Sequence, residues 1–96
     1  MAEFRLAPAA ERDLDQCWHH SRQQWDSGQA NPYIDTLLTE CARLAESPRA
    51  VASCDHIRVG YRRSFVGRHA LFFRITDYGI AVIRILHARM DLQRHI

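Results

Sequence analysis

Between Ile57 and Met90 the chain reads IRVGYRRSFVGRHALFFRITDYGIAVIRILHARM, three short runs of alternating apolar and polar positions separated by two tight turns. Alternation with period two marks a half-buried strand. Gly67-Arg68 suits a two-residue type II′ hairpin, because glycine in the first place of the loop takes positive φ without penalty. Asp77-Tyr78-Gly79 suits a three-residue loop in which Gly79 adopts the left-handed conformation of a bulge. The predicted strands are therefore Tyr61–Val66, His69–Thr76 and Ile80–His87.

The turns imply a register, and the register sorts the side chains. Val66 opposite His69 puts Ser64 opposite Leu71 and Arg63 opposite Phe72. Thr76 opposite Ile80 puts Phe73 opposite Ile83, Phe72 opposite Arg84 and Leu71 opposite Ile85. One face then collects Leu71, Phe73, Ile75, Ala81, Ile83 and Ile85 and must be covered. The other collects Tyr61, Arg63, Phe65, Phe72, Arg74, Val82, Arg84 and Leu86, with arginines among aromatics. A slip of one residue in either hairpin would scramble this sorting.

Upstream the period changes. Glu3–Leu6 alternates and can add a strand to the sheet before Pro8 stops it. From Ala9 to about Trp25 the positions Ala10, Leu14, Cys17, Trp18, Ser21 and Trp25 recur at three- and four-residue steps, which predicts a helix. Pro8 fits its first turn, and Glu11, Asp13 and Asp15 suit its positive end. Trp18 and Trp25 read as core anchors. Asp26-Ser27-Gly28 breaks the helix, and a second carries Tyr33, Ile34, Leu37, Leu38, Cys41, Leu44 and Ala45 on one stripe until Ser47-Pro48. A proline one turn inside a helix costs about 3 kcal/mol. The sequence therefore predicts Asn31 as N-cap and Pro32 in the first helical position. Residues 46–57 form a returning loop. The order strand, helix, helix, three strands gives one α+β domain of two layers. A helical hairpin covers the Leu71/Phe73/Ile83/Ile85 face and leaves the arginine–aromatic face open.

Composition narrows the function classes. With 47% hydrophobic residues over 96 positions the chain is an ordinary folded domain. No run approaches the roughly 20 apolar residues of a membrane span. The N-terminal MAEFRLAPAAERDL places acids where a signal peptide has its apolar segment, so a cytoplasmic location is expected. Cys17, Cys41 and Cys54 are widely spaced and read as reduced, packed thiols. The six histidines share no metal-ligand spacing with them, so neither metal nor cofactor is expected. A net charge of +2 does not by itself imply nucleic-acid binding. All 13 basic residues are arginine, which excludes a functional lysine and favours planar forks on carboxylates or phosphates. Arginines beside Tyr61, Phe65 and Phe72 suit an acidic peptide or RNA, although cross-strand pairing on a solvated face uses the same residues. An open sheet can also receive a helix or strand from a partner.

Four segments, in order along nearly the whole chain, carry a resemblance: FRLAPAAERDL, then Trp18 and Trp25 followed by Tyr33-Ile34, then IRVGYRRSFVGRHALFFRI, then GIAVIRILHARMD. Together they resemble the ParE toxins of the ParE/RelE superfamily. The resemblance implies a RelE/ParE-like β-α-α-β-β-β fold over residues 1–96 and a type II toxin–antitoxin module. In such a module a ParD-like antitoxin wraps its C-terminal segment around the toxin. It also implies DNA gyrase as the target, with replication blocked by protein–protein contact, no enzymatic activity and no direct nucleic-acid binding. The family motifs fall on Arg62 and Arg63 of GYRR, on Arg84, and on His87, Arg89, Met90 and Asp91 of ILHARMD. With Tyr61, Phe72 and Arg74 these are the candidates for target or antitoxin contact. Gln29 to Ile34 departs from the family pattern, which runs helical residues through the position of Pro32. The competing class is the ribosome-dependent mRNA endonuclease of the RelE branch. It needs a base for the ribose 2′-hydroxyl, an acid for the leaving oxygen and cations on the phosphate. Arg63, Arg84, His87 or His95 are available, but lysine is absent and no carboxylate is expected on the open face. A toxin relic that only binds its antitoxin is the third reading.

Overall fold

A computed structural model describes residues 2–24, 27–55 and 58–87. The elements follow in the order β1 (Glu3–Leu6), α1 (Pro8–Gln24), α2 (Ser27–Glu46), a 3-10 turn (Pro48–Ala50), β2 (Tyr61–Val66), β3 (His69–Ile75) and β4 (Gly79–His87). The strands form one sheet in the order β1-β4-β3-β2, with β1 parallel to β4 and the other pairs antiparallel. Both helices pack on one face of the sheet. The expected α+β layering and the four strands are as the alternation predicts.

The core beneath the helices is built from Ala10 and Cys17 of α1, Leu37, Cys41, Leu44 and Ala45 of α2, and Val66, Leu71, Phe73, Ile80, Val82 and Ile85 of the sheet. Ala10, Leu14 and Cys17 share one α1 face at steps of four and three, and that face meets the sheet. Trp18 lies one position further round. It is half-buried, stands outside the core clusters of the described residues, and meets the His19 ring edge-on. The expectation that Trp18 anchors the core is thereby corrected. Trp25 lies outside the described residues.

Three further expectations change. Helix α2 begins at Ser27, so Pro32 sits inside it and not at its first position. The proline removes one backbone donor one turn in, and the apolar stripe from Tyr33 to Ala45 holds the helix on the sheet despite that local cost. The Pro32 carbonyl meanwhile accepts a hydrogen bond from Thr36 Oγ1 at 2.9 Å.

The second hairpin is one residue tighter than predicted. Thr76 N–H donates to the Gly79 carbonyl at 2.9 Å and Gly79 N–H donates to Thr76 Oγ1 at 3.1 Å, so Ile75 faces Ile80. Gly79 has φ +144°, far from the left-handed helical region expected of it. A β-bulge between Phe72 and Phe73 absorbs the shift: Phe72 faces Arg84 and Leu71 faces Ile85 as predicted, whereas Phe73 faces Val82. Ile83 is the extra residue. Between bulge and turn the faces are therefore exchanged, with Ile80 and Val82 under the helices and Ala81 and Ile83 on the opposite side.

That opposite side is not open along its length. Cys54, Tyr61, Ala70, Phe72 and Leu86 form a second buried cluster with Ile83 packed on it. The returning segment supplies Cys54, held by a Ser53–Arg62 bridge and by Cys54 N–H donating to the Tyr61 carbonyl at 2.9 Å. Apolar Tyr61, Phe72 and Leu86 on one face need such a cover for the same reason the helix side does.

Candidate functional site

The structure sorts the sequence candidates into three groups. Tyr61 and Phe72 are 8% and 4% exposed and belong to the second cluster, beneath the surface. Arg63 and Arg74 remain on the outer side of that face, where Arg63 lies opposite Phe72 and Arg74 opposite Tyr61. The Arg63 guanidinium stands 5.1 Å from the centre of the Phe65 ring, and Phe65 is 58% exposed. Arg63, Phe65 and Arg74 thus form one cationic, aromatic strip at the β2 side of the sheet. Glu3 of β1 shares this face, contrary to the expectation that it carries no carboxylate. It pairs with Arg5 at 2.7 Å, which is consistent with a local neutral pair at the far edge.

Two candidates point elsewhere. Arg62 turns to the helix side and donates to the Val51 carbonyl at 2.6 Å, pinning the returning segment. Arg84 leaves the face assigned to it: its Nε and Nη2 donate to the Asp13 carboxylate at 2.7 and 2.8 Å. Ile85 N–H adds a third bond to the same carboxylate at 3.0 Å. The reason lies in the sheet. Strand β1 ends at Leu6 opposite Val82, so among the described residues the end of β4 has no strand partner on that edge, and Asp13 of α1 takes the place of one. Arg89, Met90 and Asp91 lie outside the described residues, as do His56 and His95.

His87 ends β4 half-exposed, its ring edge-on to His69 at 5.7 Å. His69 in turn lies between the helices: Cys17 Sγ is 3.0 Å from its Nε2 and Tyr33 Oη is 2.6 Å from its Nδ1. Tyr33 O–H also reaches the Val66 carbonyl at 3.4 Å. All partners are satisfied when Cys17 donates to Nε2, Nδ1–H donates to Tyr33, and Tyr33 donates to Val66. Neither Cys17 nor Tyr33 ionises readily. Burial, with Asp13 nearby, pushes the Cys17 thiol up to about 11, and burial raises the Tyr33 phenol. A cysteine beside a histidine is a nucleophile–base pair when the thiolate forms and substrate reaches it. Here the thiol is 6% exposed and held protonated, so the arrangement ties α1 and α2 to the β2–β3 turn. The sequence showed Cys17 and Tyr33 only as members of apolar stripes; their polar partner lies 52 and 36 residues away. Among the described residues no group of three His, Cys, Asp or Glu is placed to hold a metal ion. No helix among them is long and apolar enough to cross a membrane.

The buried thiols give a pH dependence of defined sign. Burial pushes Cys41 up to about 12, as it pushes Cys17 to about 11, whereas an unfolded cysteine ionises near 8.5. The folded state holds these protons more tightly, so stability is intact below about pH 8.5 and is lost as pH climbs toward the folded values. The urea midpoint is expected to fall between pH 8.5 and 10.5, and a Cys17→Ser/Cys41→Ala double variant to show a flatter profile. Equal slopes in the two proteins would contradict the buried-thiol origin.

Beside the strip, between α2 and the outer edge of β2, runs a shallow groove of about 450 Å³ lined by Asp35, Thr36, Thr39, Glu40, Phe65 and Val66. Glu40 closes its floor, accepting from Ser64 Oγ at 2.8 Å and pairing with Arg43, which holds its carboxyl below the usual range.

Comparison with known proteins agrees with this architecture. Residues 4–92 match the family model described as ParE toxin of type II toxin-antitoxin system, parDE. A toxin named ParE1 from Mycobacterium tuberculosis (strain H37Rv) is 40% identical over 96 residues, covering 99% of this chain and 98% of the relative. A toxin of the same name from Caulobacter vibrioides is 34% identical, covering 100% and 99%. Among solved structures, a chain of the chromosomal ParDE TA system from P. aeruginosa superposes with a TM-score of 0.78 at 18% identity, covering 91% of this chain and 96% of that one. At that identity the likeness is one of fold.

Proposed function

The chain belongs to the ParE toxin family of type II toxin–antitoxin systems, and on that membership we propose that a ParD-like antitoxin holds it silent. Once released, it binds DNA gyrase in the cytoplasm and blocks replication by protein–protein contact. The observation that carries the contact reading is the strip of Arg63, Phe65 and Arg74. It offers the half-buried Arg63 and the exposed Arg74 guanidinium beside an exposed ring, the combination that recognises an acidic or aromatic protein surface. The chemistry for RNA cleavage is poorly supplied. The chain has no lysine, and the Cys17 thiol beside His69 is buried. His87 and Arg63 lie on opposite faces of the sheet, since His87 meets His69 on the helix side. Arg89 and Met90 stay candidates for target or antitoxin contact on the resemblance alone.

The test is supercoiling of relaxed plasmid by purified gyrase, with and without this chain freed of antitoxin. Loss of supercoiling or trapped cleaved DNA is the expected result. Unaffected gyrase together with mapped mRNA cleavage in a translation assay would establish the RelE-type reading. Unaffected gyrase, intact mRNA and normal growth on expression would mark a relic. Within the proposed reading, Arg63→Ala weakens antitoxin or gyrase binding about tenfold, with the Tm changed by no more than a few degrees.

A further inference from the structure

We propose that β1 pairs with β1 of a second copy of this chain, so that two four-stranded sheets continue into one across a two-fold axis. Strand β1 is the edge of the sheet remote from β2 and the arginine strip. Glu3 N–H donates to the Tyr78 carbonyl and Ala7 N–H to the Val82 carbonyl, both on the β4 side. Groups of the same parity on a strand point the same way, so the N–H and C=O of Phe4 and the N–H of Leu6 face outward. Among the described residues no backbone group pairs with Phe4 or Leu6 there. An antiparallel copy of β1 meets these groups when the axis passes beside Phe4. Phe4 then exchanges two hydrogen bonds with Phe4 of the second copy, and each Leu6 N–H reaches the Ala2 carbonyl across the axis.

The side chains select the occupant. Glu3 and Arg5 stand two residues apart on the outer face, their side chains 55% and 63% exposed, and Arg5 lies 4.1 Å from the centre of the Tyr78 ring. An antiparallel strand that complements Glu3-Phe4-Arg5 must carry, in its own direction, an acidic, an apolar and a basic residue. That is the sequence of β1 itself. The axis through Phe4 sets each Glu3 opposite the other copy's Arg5, giving two attractive cross-strand pairs. Edge strands are commonly blunted by charge of one sign, which repels a second copy, whereas this edge carries both signs in self-complementary order. On the helix side Phe4 meets Phe4 beside a groove of about 570 Å³, lined by Ala2, Thr39 and Ala42 with Arg43 and Glu46 again of opposite sign. The contact is the same patch on both copies, so it closes at two. Both helical layers then lie on one side of the joined sheet and both Arg63–Phe65–Arg74 strips on the other.

The experiment uses the full chain freed of antitoxin, in sedimentation equilibrium from about 10 μM to about 1 mM, the range in which small interfaces associate. A monomer–dimer equilibrium is expected. Arg5→Glu sets like charges opposite each other twice and should weaken association at least about tenfold. Glu3→Arg/Arg5→Glu exchanges the signs and should restore it to within about threefold, with both variants folded by circular dichroism. Amide exchange followed by NMR is expected to slow at least about tenfold at Phe4 and Leu6 as concentration rises. Glu3 and Arg5, whose N–H groups face β4, should change little. A chain that stays monomeric throughout overturns the proposal. A dimer that Arg5→Glu leaves unchanged, or that the exchanged pair fails to restore, overturns it as well by placing the contact elsewhere. Protection of Phe4 and Leu6 that requires a ParD-like antitoxin, and not higher concentration, assigns the edge to that partner and likewise overturns it. Each of these outcomes leaves the antitoxin and gyrase readings standing, since neither enters the pairing of β1 with itself.

Discussion

Asp13→Ala lowers the stability of this chain by about 3 kcal/mol, a fall in Tm on the order of 15 °C for a domain of this size. The carboxylate accepts three hydrogen bonds, two from the Arg84 guanidinium and one from Ile85 N–H, and links α1 to the unpartnered end of β4. Both side chains are largely removed from water, at 10% exposed for Asp13 and 18% for Arg84. Deleting the acid leaves a guanidinium and a backbone donor without their acceptor, and the penalty is the desolvation of those groups more than the attraction lost. Asp13→Asn keeps an acceptor for Ile85 N–H and is expected to cost roughly half as much. Arg84→Met retains the apolar stem but leaves the Asp13 carboxylate with only the Ile85 N–H, and is expected to cost about as much as Asp13→Ala. The check is urea denaturation of the three single variants and of Asp13→Ala/Arg84→Met. A double variant no worse than Asp13→Ala identifies the fork as the coupled unit. A loss within about 0.5 kcal/mol for Asp13→Ala would place the pair among solvent-screened surface bridges. Unchanged stability with weakened antitoxin or gyrase binding would return Arg84 to the contact surface that the sequence assigned to it.

Arg84 also shows where sequence reading stops. Period-two parity set it on the outer face, and parity carries no information about a partner 71 residues upstream. The first hairpin was legible because its determinant is local: Gly67 sits at φ +55°, no described non-glycine residue has positive φ, and the strands pair as the two-residue loop requires. The second was legible only past the bulge. From Gly79 to Ile83 every residue is apolar or glycine, so sliding the strand by one exposes no charge and the pattern does not resist the error. The closed outer face was half-visible, since Tyr61, Phe72 and Leu86 already supplied apolar area in need of cover, but Cys54 arrives from a segment without periodicity. Of the candidate site, the Arg63–Phe65–Arg74 strip follows from alternation alone. The His69 contacts with Cys17 and Tyr33 do not, because both partners read as core.

The largest backbone effect is expected at Gly79. A Cβ there would stand 2.0 Å from the Glu3 carbonyl oxygen and 2.8 Å from Glu3 N, and φ +144° is itself unfavourable to an L side chain. Backbone atoms of β1 have no flexible end to swing away, so Gly79→Ala must push β1 off β4. That breaks the Glu3 N–H bond to the Tyr78 carbonyl, opens the parallel pairing of Glu3–Leu6, and uncovers Phe4 and Leu6 where they pack on the core. A loss of about 3 kcal/mol or more is expected. Gly60→Ala supplies the contrast: φ is +86°, yet nothing lies within 4 Å of the added carbon. Strain alone then costs about 1 kcal/mol. Denaturation of both variants, with amide exchange to locate the damage, separates the two causes. Faster exchange in β1 with an intact β2–β3 hairpin is the expected pattern for Gly79→Ala. Partner binding at the Arg63–Phe65–Arg74 strip should survive it, because β4 stands between β1 and the strands that carry the strip. Equal costs at Gly79 and Gly60 would mean that dihedral strain, and not the close approach of β1, is what requires glycine at the start of β4.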